Sequence, residues 1–83
     1  QYLVVYPNPV SDNLTVQFTA KESGEAVLVM QDISGNNLLK MNLLYTVGKN
    51  ISELDLRSFP NGLYLLQIQT SSGSVTQKIE VSR

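Results

Sequence analysis

Histidine and cysteine, the side chains that most often serve as general base and as thiol nucleophile, are both absent from this sequence. What remains for chemistry is carboxylate and hydroxyl. Glu53 and Asp55 stand two apart and fall on one face of a strand, but paired carboxylates on a solvated strand are common, and nothing else here builds a glycosidase pair. Asp32-Ile33-Ser34-Gly35-Asn36-Asn37 places oxygen-bearing side chains at alternate positions, as a calcium loop does. A helix-loop-helix calcium site needs a bidentate Glu at its twelfth position, where this chain has Leu43. The segment therefore reads as a hairpin turn in which Asp32 accepts from backbone amides and Gly35 takes positive φ. The expectation is no catalytic residue, no metal and no cofactor.

Two other residue sets carry little weight. Asn13-Leu14-Thr15 and Asn50-Ile51-Ser52 match the N-glycosylation pattern, which arises by chance in a chain rich in Asn, Ser and Thr. There is no Trp, and Tyr2, Tyr6, Tyr45 and Tyr64 fall mostly at inward or terminal positions, which argues against the planar aromatic platform of a carbohydrate-binding module. Tyr64 opens the inward face of a strand, so its ring closes one end of the core and its hydroxyl needs a partner.

The elements that hold these residues are strands. Leu14, Val16 and Phe18 alternate with Thr15, Gln17 and Thr19, the period-2 pattern of a half-buried strand. Ala26, Leu28 and Met30 share a face, while Val27 and Val29 make the other face apolar, as in a strand covered on both sides. Met41, Leu43, Tyr45 and Val47 continue one apolar face from Leu39; Leu54 and Leu56 flank Asp55; Tyr64, Leu66 and Ile68 form another inward set; Val75, Ile79 and Val81 form the last. No segment sustains the i, i+3, i+4 spacing of a helix. Ser23-Gly24, Ser34-Gly35-Asn36-Asn37, Val47-Gly48, Pro60-Asn61-Gly62 and Ser71-Ser72-Gly73-Ser74 supply turn residues between the runs. Turns at intervals of roughly 8–12 residues mark an antiparallel sandwich or barrel. About seven strands are predicted, near 2–6, 13–19, 25–31, 38–46, 50–56, 62–70 and 74–81, the fourth run being a candidate for two strands with a bend.

Composition bounds the class. At 83 residues the chain is one domain, residues 1–83, and buries roughly 60–65% of its unfolded surface. Without cysteine, packing alone must hold it. Six Lys/Arg and seven Asp/Glu are scattered singly, so no basic cluster exists to displace counterions from nucleic acid. The longest apolar run, Ala26 to Met30, is far short of the ~20 residues of a membrane span. The sequence opens on Gln1 with no secretory signal, so a piece of a longer chain is expected, with any export signal upstream.

Tyr6-Pro7-Asn8-Pro9 is the most distinctive local feature. Each proline fixes its own φ, pushes Tyr6 or Asn8 into extended geometry and has no amide for a ladder. The first strand must end there, and the segment reads as a rigid crossover between sheets, with recognition by Asn8 as a secondary role.

Several segments then line up in order: Val5-Tyr6-Pro7-Asn8-Pro9, Leu14-Thr15-Val16, Asp32-Ile33-Ser34-Gly35, Leu54-Asp55-Leu56, Pro60-Asn61-Gly62-Leu63-Tyr64 and Lys78-Ile79-Glu80-Val81. Over nearly the whole chain this resembles the C-terminal sorting domain of proteins exported by the type IX (Por) secretion system of Bacteroidetes. The resemblance implies an all-β fold, an immunoglobulin-like antiparallel β-sandwich of seven strands, without catalysis of its own. It implies as partners an upstream cargo domain, an outer-membrane translocon and a sortase-type cysteine peptidase that removes the tail at or before Gln1. The cargo then reaches the cell surface, attached to an anionic lipopolysaccharide, or the medium, by way of the periplasm. Carried over by position, Pro7, Asn8 and Pro9 match the opening motif, Asp32 and Gly35 the central turn, Gly62 and Tyr64 the penultimate strand, and Lys78 the basic position of the last strand.

The last strand ends close to Arg83, so its edge is expected to be open to a receptor strand, with Lys78 as a rim charge or an edge-protecting lysine. Two other classes share much of this reading: an immunoglobulin- or fibronectin-like spacer, and a carbohydrate-binding accessory module of a secreted enzyme.

Overall fold

The structure is a computed structural model that describes residues 2–71 and 73–83. Seven strands follow in order: β1 (Tyr2–Tyr6), β2 (Asn13–Ala20), β3 (Gly24–Asp32), β4 (Asn37–Tyr45), β5 (Gly48–Asp55), β6 (Gly62–Thr70) and β7 (Gly73–Val81). They form a three-stranded sheet, β1-β2-β5, and a four-stranded sheet, β4-β3-β6-β7, both antiparallel. The alternation and turn spacing predict an antiparallel all-β fold, and the two packed sheets agree with the immunoglobulin-like sandwich that the family resemblance implies.

Alternation selects the core. Leu14, Val16, Phe18 and Ala20 of β2 point inward beneath Ala26, Leu28 and Met30 of β3 and Tyr64, Leu66 and Ile68 of β6, and all ten are buried. Val29, on the outward face of β3, is buried as well, in keeping with that strand's two apolar faces. Among the described residues no polar or charged side chain is buried, so packing carries the interior.

The fourth run is one strand rather than two with a bend. Between Met30 and Gln31 the register slips, from Met30 opposite Leu39 to Gln31 opposite Asn37, which leaves Leu38 as an extra residue in β4. The bulge absorbs the irregularity without breaking the strand. Val47 does not continue the inward face: β4 stops at Tyr45, and Val47 sits in the link to β5, 66% exposed. Asn50 holds that link, accepting from the Thr46 amide at 3.0 Å and donating to the carbonyls of Thr46 at 2.9 Å and Gly48 at 3.1 Å. At the start of β3, a Cβ on Gly24 would lie 2.7 Å from the Tyr45 hydroxyl opposite it, so only glycine lets that ring lie across the ladder.

β1 lies beside β7, which fixes how the sheets overlie one another. Along the edge strand β4 the inward residues Leu39, Met41 and Leu43 are half-buried against the core and Tyr45 is buried against Phe18 of β2, while the inward residues of β3 are fully covered.

Candidate functional site

Seven strands that alternate in direction send every second connection to the same end. The pairs Tyr6–Thr15 and Asn13–Asp55 mark one end of the smaller sheet, and Asp32–Tyr64 and Gly62–Val81 one end of the larger. These ends coincide, because Val10 pairs with Val81 and the Leu56 amide donates to the Asp12 carbonyl at 2.7 Å. One pole thus gathers the β1–β2 loop, the β3–β4 hairpin, the β5–β6 loop and the end of β7. All of Pro7, Asn8, Pro9, Asp32, Gly35, Gly62, Tyr64 and Lys78 lie at or near it.

The crossover is built as the prolines require. β1 ends at Tyr6, and two prolines later the chain has passed to the other sheet, where Val10 is fully buried against β7. The Val10 amide donates to the Glu80 carbonyl at 2.8 Å, and the Ser82 amide to the Val10 carbonyl at 2.9 Å. Asn8 extends this pairing with its side chain, donating to the Lys78 carbonyl at 3.1 Å and accepting from the Glu80 amide at 3.0 Å. Asn8 therefore mimics a strand residue at a place where proline cannot donate.

This corrects one expectation. The outer edge of β7 is not open along its length, because Asn8 and Val10 already satisfy its groups from Lys78 to Ser82. The sequence hides the tie, since the partners are 70 and 72 residues apart.

Tyr64 meets its requirement for a partner through a tyrosine corner: its hydroxyl donates to the Pro60 carbonyl at 2.6 Å, just upstream of β6. Phe59 packs edge-on against the Tyr64 ring, with centroids 5.6 Å apart and an interplanar angle of 88°. Arg83 clasps the same corner. Its guanidinium donates to the carbonyls of Phe59, at 2.6 Å, and Leu56, and to Asp12 at 3.3 Å. Its backbone exchanges hydrogen bonds with the Asn61 side chain at 3.1 and 3.3 Å. Sequence reading passed over Val10, Asn61 and Arg83; the Asn61-Gly62 turn was visible, its long-range partner was not.

The Asp32 hairpin is the turn its residue types dictate. Asp32 Oδ1 accepts from the amides of Ser34 at 2.9 Å and Asn36 at 3.0 Å, its Oδ2 accepts from the Asn36 side chain at 3.1 Å, and Gly35 has φ of +93°. Those bonds, the Asn36 amide first, hold the Asp32 carboxyl below its usual range. Beside it on the same pole, the Arg57 guanidinium grips Asp55 at 2.8 and 3.0 Å and the Arg57 amide adds a third bond, which brings that carboxyl down to about 2. Glu53 and Asp55 do share the outward face of β5, but Asp55 is spent on this ion pair.

Lys78 is exposed on the outward face of β7, opposite Leu65, and among the described residues no hydrogen bond or ion pair engages its side chain. Next along that face of β6, Leu63 lies opposite Glu80 and is 45% exposed. Tyr6, expected to be inward or terminal, is 43% exposed.

Among the described residues there is no group of three or more Asp or Glu fit to hold a metal ion, and no helix long and apolar enough to cross a membrane. An open depression of about 550 Å³ lies at the other pole between β3, β4 and β6; Glu25 is its sole ionisable lining residue. The arrangement can present shape and charge at one end.

The curated proteins searched contain no match to the chain. The family described as the secretion system C-terminal sorting domain matches residues 4–82, essentially the whole chain. A sandwich whose turns meet at one pole is thus also a sequence of the sorting type: the chain belongs to the secretion system C-terminal sorting domain family, a C-terminal signal for type IX secretion carried by secreted or cell-surface proteins.

Proposed function

We propose that this domain routes an upstream cargo from the periplasm through the outer-membrane translocon, and that the pole holding Asn8, Asp32, Tyr64 and Lys78 is the end the machinery reads. The observation that carries the reading is convergence: segments from Pro7 to Arg83 that are far apart in sequence meet at one end, while Tyr2 enters β1 at the other. A cargo joined ahead of Tyr2 is then held away from the recognised end, and a peptidase that cuts there works clear of it. Lys78, exposed and without a described side-chain partner, supplies a charge contact beside Leu63 and Leu65. Asp32, Gly35, Asn8 and Tyr64 act differently: each shapes the backbone of the pole, so their part is to present it. Final release to the medium or attachment to surface lipopolysaccharide follows at the cell surface.

The test is a passenger with an N-terminal signal peptide fused to this chain in a host with a type IX translocon. Deleting Lys78 to Arg83 removes the buried Ile79 and Val81 and the Arg83 clasp, so its loss of export reports stability as much as recognition. Lys78→Ala separates the two, since an exposed side chain of this kind changes stability by less than about 0.5 kcal/mol. Passenger retained in the periplasm with an unchanged melting temperature supports the contact. Full export of both variants overturns the sorting role of this strand and leaves a spacer of the same fold.

A further inference from the structure

Four strands form sheet edges: β1 and β5 in one sheet, β4 and β7 in the other. An unpaired edge invites another strand, and folded proteins usually guard it with proline, charge, a bulge or a covering segment. β1 runs into Pro7 and Pro9, and half of β7 is covered by Asn8 and Val10. The outward face of β5 carries the charges Lys49, Glu53 and Asp55. β4 is guarded least. Its nine residues contain one charge, Lys40, no proline, and a bulge only at the Leu38 end.

The side chains of β4 also form a near-palindrome. Counting outward from Met41, Lys40 answers Asn42, Leu39 answers Leu43, and Leu38 answers Leu44. In an antiparallel pair, residues directly opposite share a face and pack against each other. A two-fold axis through Met41 therefore sets Leu39 of one copy against Leu43 of the other on the inward face, and brings Leu44 of each copy to the bulge at Leu38 of the other. Leu44 is 83% exposed and Leu38 44%. Leu39, Met41 and Leu43 are half-buried at this edge. Lys40 meets Asn42, so the axis brings no like charges directly opposite.

We infer that β4 is a self-association edge, and that its occupant is the β4 strand of a second copy of this chain, paired antiparallel about Met41 to give a continuous eight-stranded sheet. The pairing is isologous and closes at the dimer, because each copy spends the edge on the other. One strand edge buries less than the about 800 Å² per partner of a standard interface, so the dimer is weak and dissociates on dilution. This inference stands apart from the sorting reading and survives or fails without it.

Sedimentation equilibrium of the 83-residue chain up to about 1 mM should show a monomer–dimer equilibrium. Leu44→Lys changes an exposed side chain and should leave the fold intact while weakening the dimer at least about tenfold. The chain has no cysteine, so single-cysteine variants report the register cleanly. Antiparallel neighbours have Cα atoms about 4.5–5.5 Å apart, within disulfide reach. Met41→Cys should therefore cross-link to itself under mild oxidation much faster than Ile51→Cys on the β5 edge. A strictly monomeric chain at 1 mM, a dimer indifferent to Leu44→Lys, or equal cross-linking by the two cysteine variants each overturns the proposal.

Discussion

The two poles of this sandwich are closed by different means. At the pole near Tyr2, the described connections are short and local: Lys21–Ser23 turns β2 into β3, and Asn50 reaches back four residues to hold the Thr46–Val47 link. At the other pole the ties are long-range. Asn8 binds β7, Asp12 meets both Leu56 and Arg83, and Asn61 is bonded to Arg83. Each end has one edge-on aromatic pair, Phe18 with Tyr45 and Phe59 with Tyr64. The difference lies in the polar layer outside them. Local turns form as soon as their own residues are in place, whereas the far pole is complete only when the first and last strands have both arrived. A pole built in that way is present only once the whole domain has folded.

The largest effect should come from removing the packing beneath the long-range pole. Leu56 is fully buried there, and Leu56→Ala should destabilise the domain by about 2–5 kcal/mol, depending on how far the site collapses. Val47→Ala, on the exposed link at the other end, should fall within about 0.5 kcal/mol. Urea midpoints of the two variants make the comparison directly, and equal effects would erase the asymmetry.

Next in size is the Asn8 tie. Asn8→Ala removes two hydrogen bonds, each worth about 0.5–1.5 kcal/mol net, and leaves the Glu80 amide and Lys78 carbonyl to solvent. A loss of about 1–3 kcal/mol is expected, with the Glu80 amide exchanging faster while amides in the middle of β2 move only with global stability. Unchanged exchange at Glu80 would mean that Asn8 does not hold the edge. Tyr64→Phe follows, since it keeps the ring against Phe59 and removes only the bond to the Pro60 carbonyl; about 0.5–1.5 kcal/mol should be lost.

Legibility in the sequence divides along the same line. Strands β2, β3 and β6 are written in the alternation of Leu14-Val16-Phe18, Ala26-Leu28-Met30 and Tyr64-Leu66-Ile68, because burying one face of a strand forces period 2. The Asp32 hairpin is written in its own residues, since Asp, Gly and Asn each satisfy a local backbone demand. Val10 carried no such mark: it follows Pro9, belongs to no strand, and is buried only because β7 arrives 71 residues later. The Arg83 clasp is hidden for the same reason. Convergence of the candidate residues on one pole was implicit, though, since the odd-numbered connections of any up-and-down chain of strands share an end. The half-covered edge of β7 could not be inferred, because it depends on a side chain acting as backbone.

The smallest expected effect is electrostatic and also belongs to the long-range pole. Asp55 is held at about 2 by the Arg57 side chain and amide, against an ordinary value of 3.8, and Asp32 is lowered by its bonds to Asn36 and Ser34. A folded-state value below the unfolded one means that the unfolded chain binds the proton more tightly, so these groups stabilise the fold above about pH 4. That contribution is lost as pH falls from about 4 through about 2. Both carboxylates are exposed to solvent, so the effect is screened and should shrink further as salt is raised. Urea midpoints taken from pH 5 down to pH 2 should decline across that window, and Asp55→Asn should decline less steeply than the parent. If Asp55→Asn and the parent run parallel throughout, the Arg57 grip on Asp55 contributes nothing to closing this pole, and the contrast between the ends rests on Asn8, Asn61 and Arg83 alone.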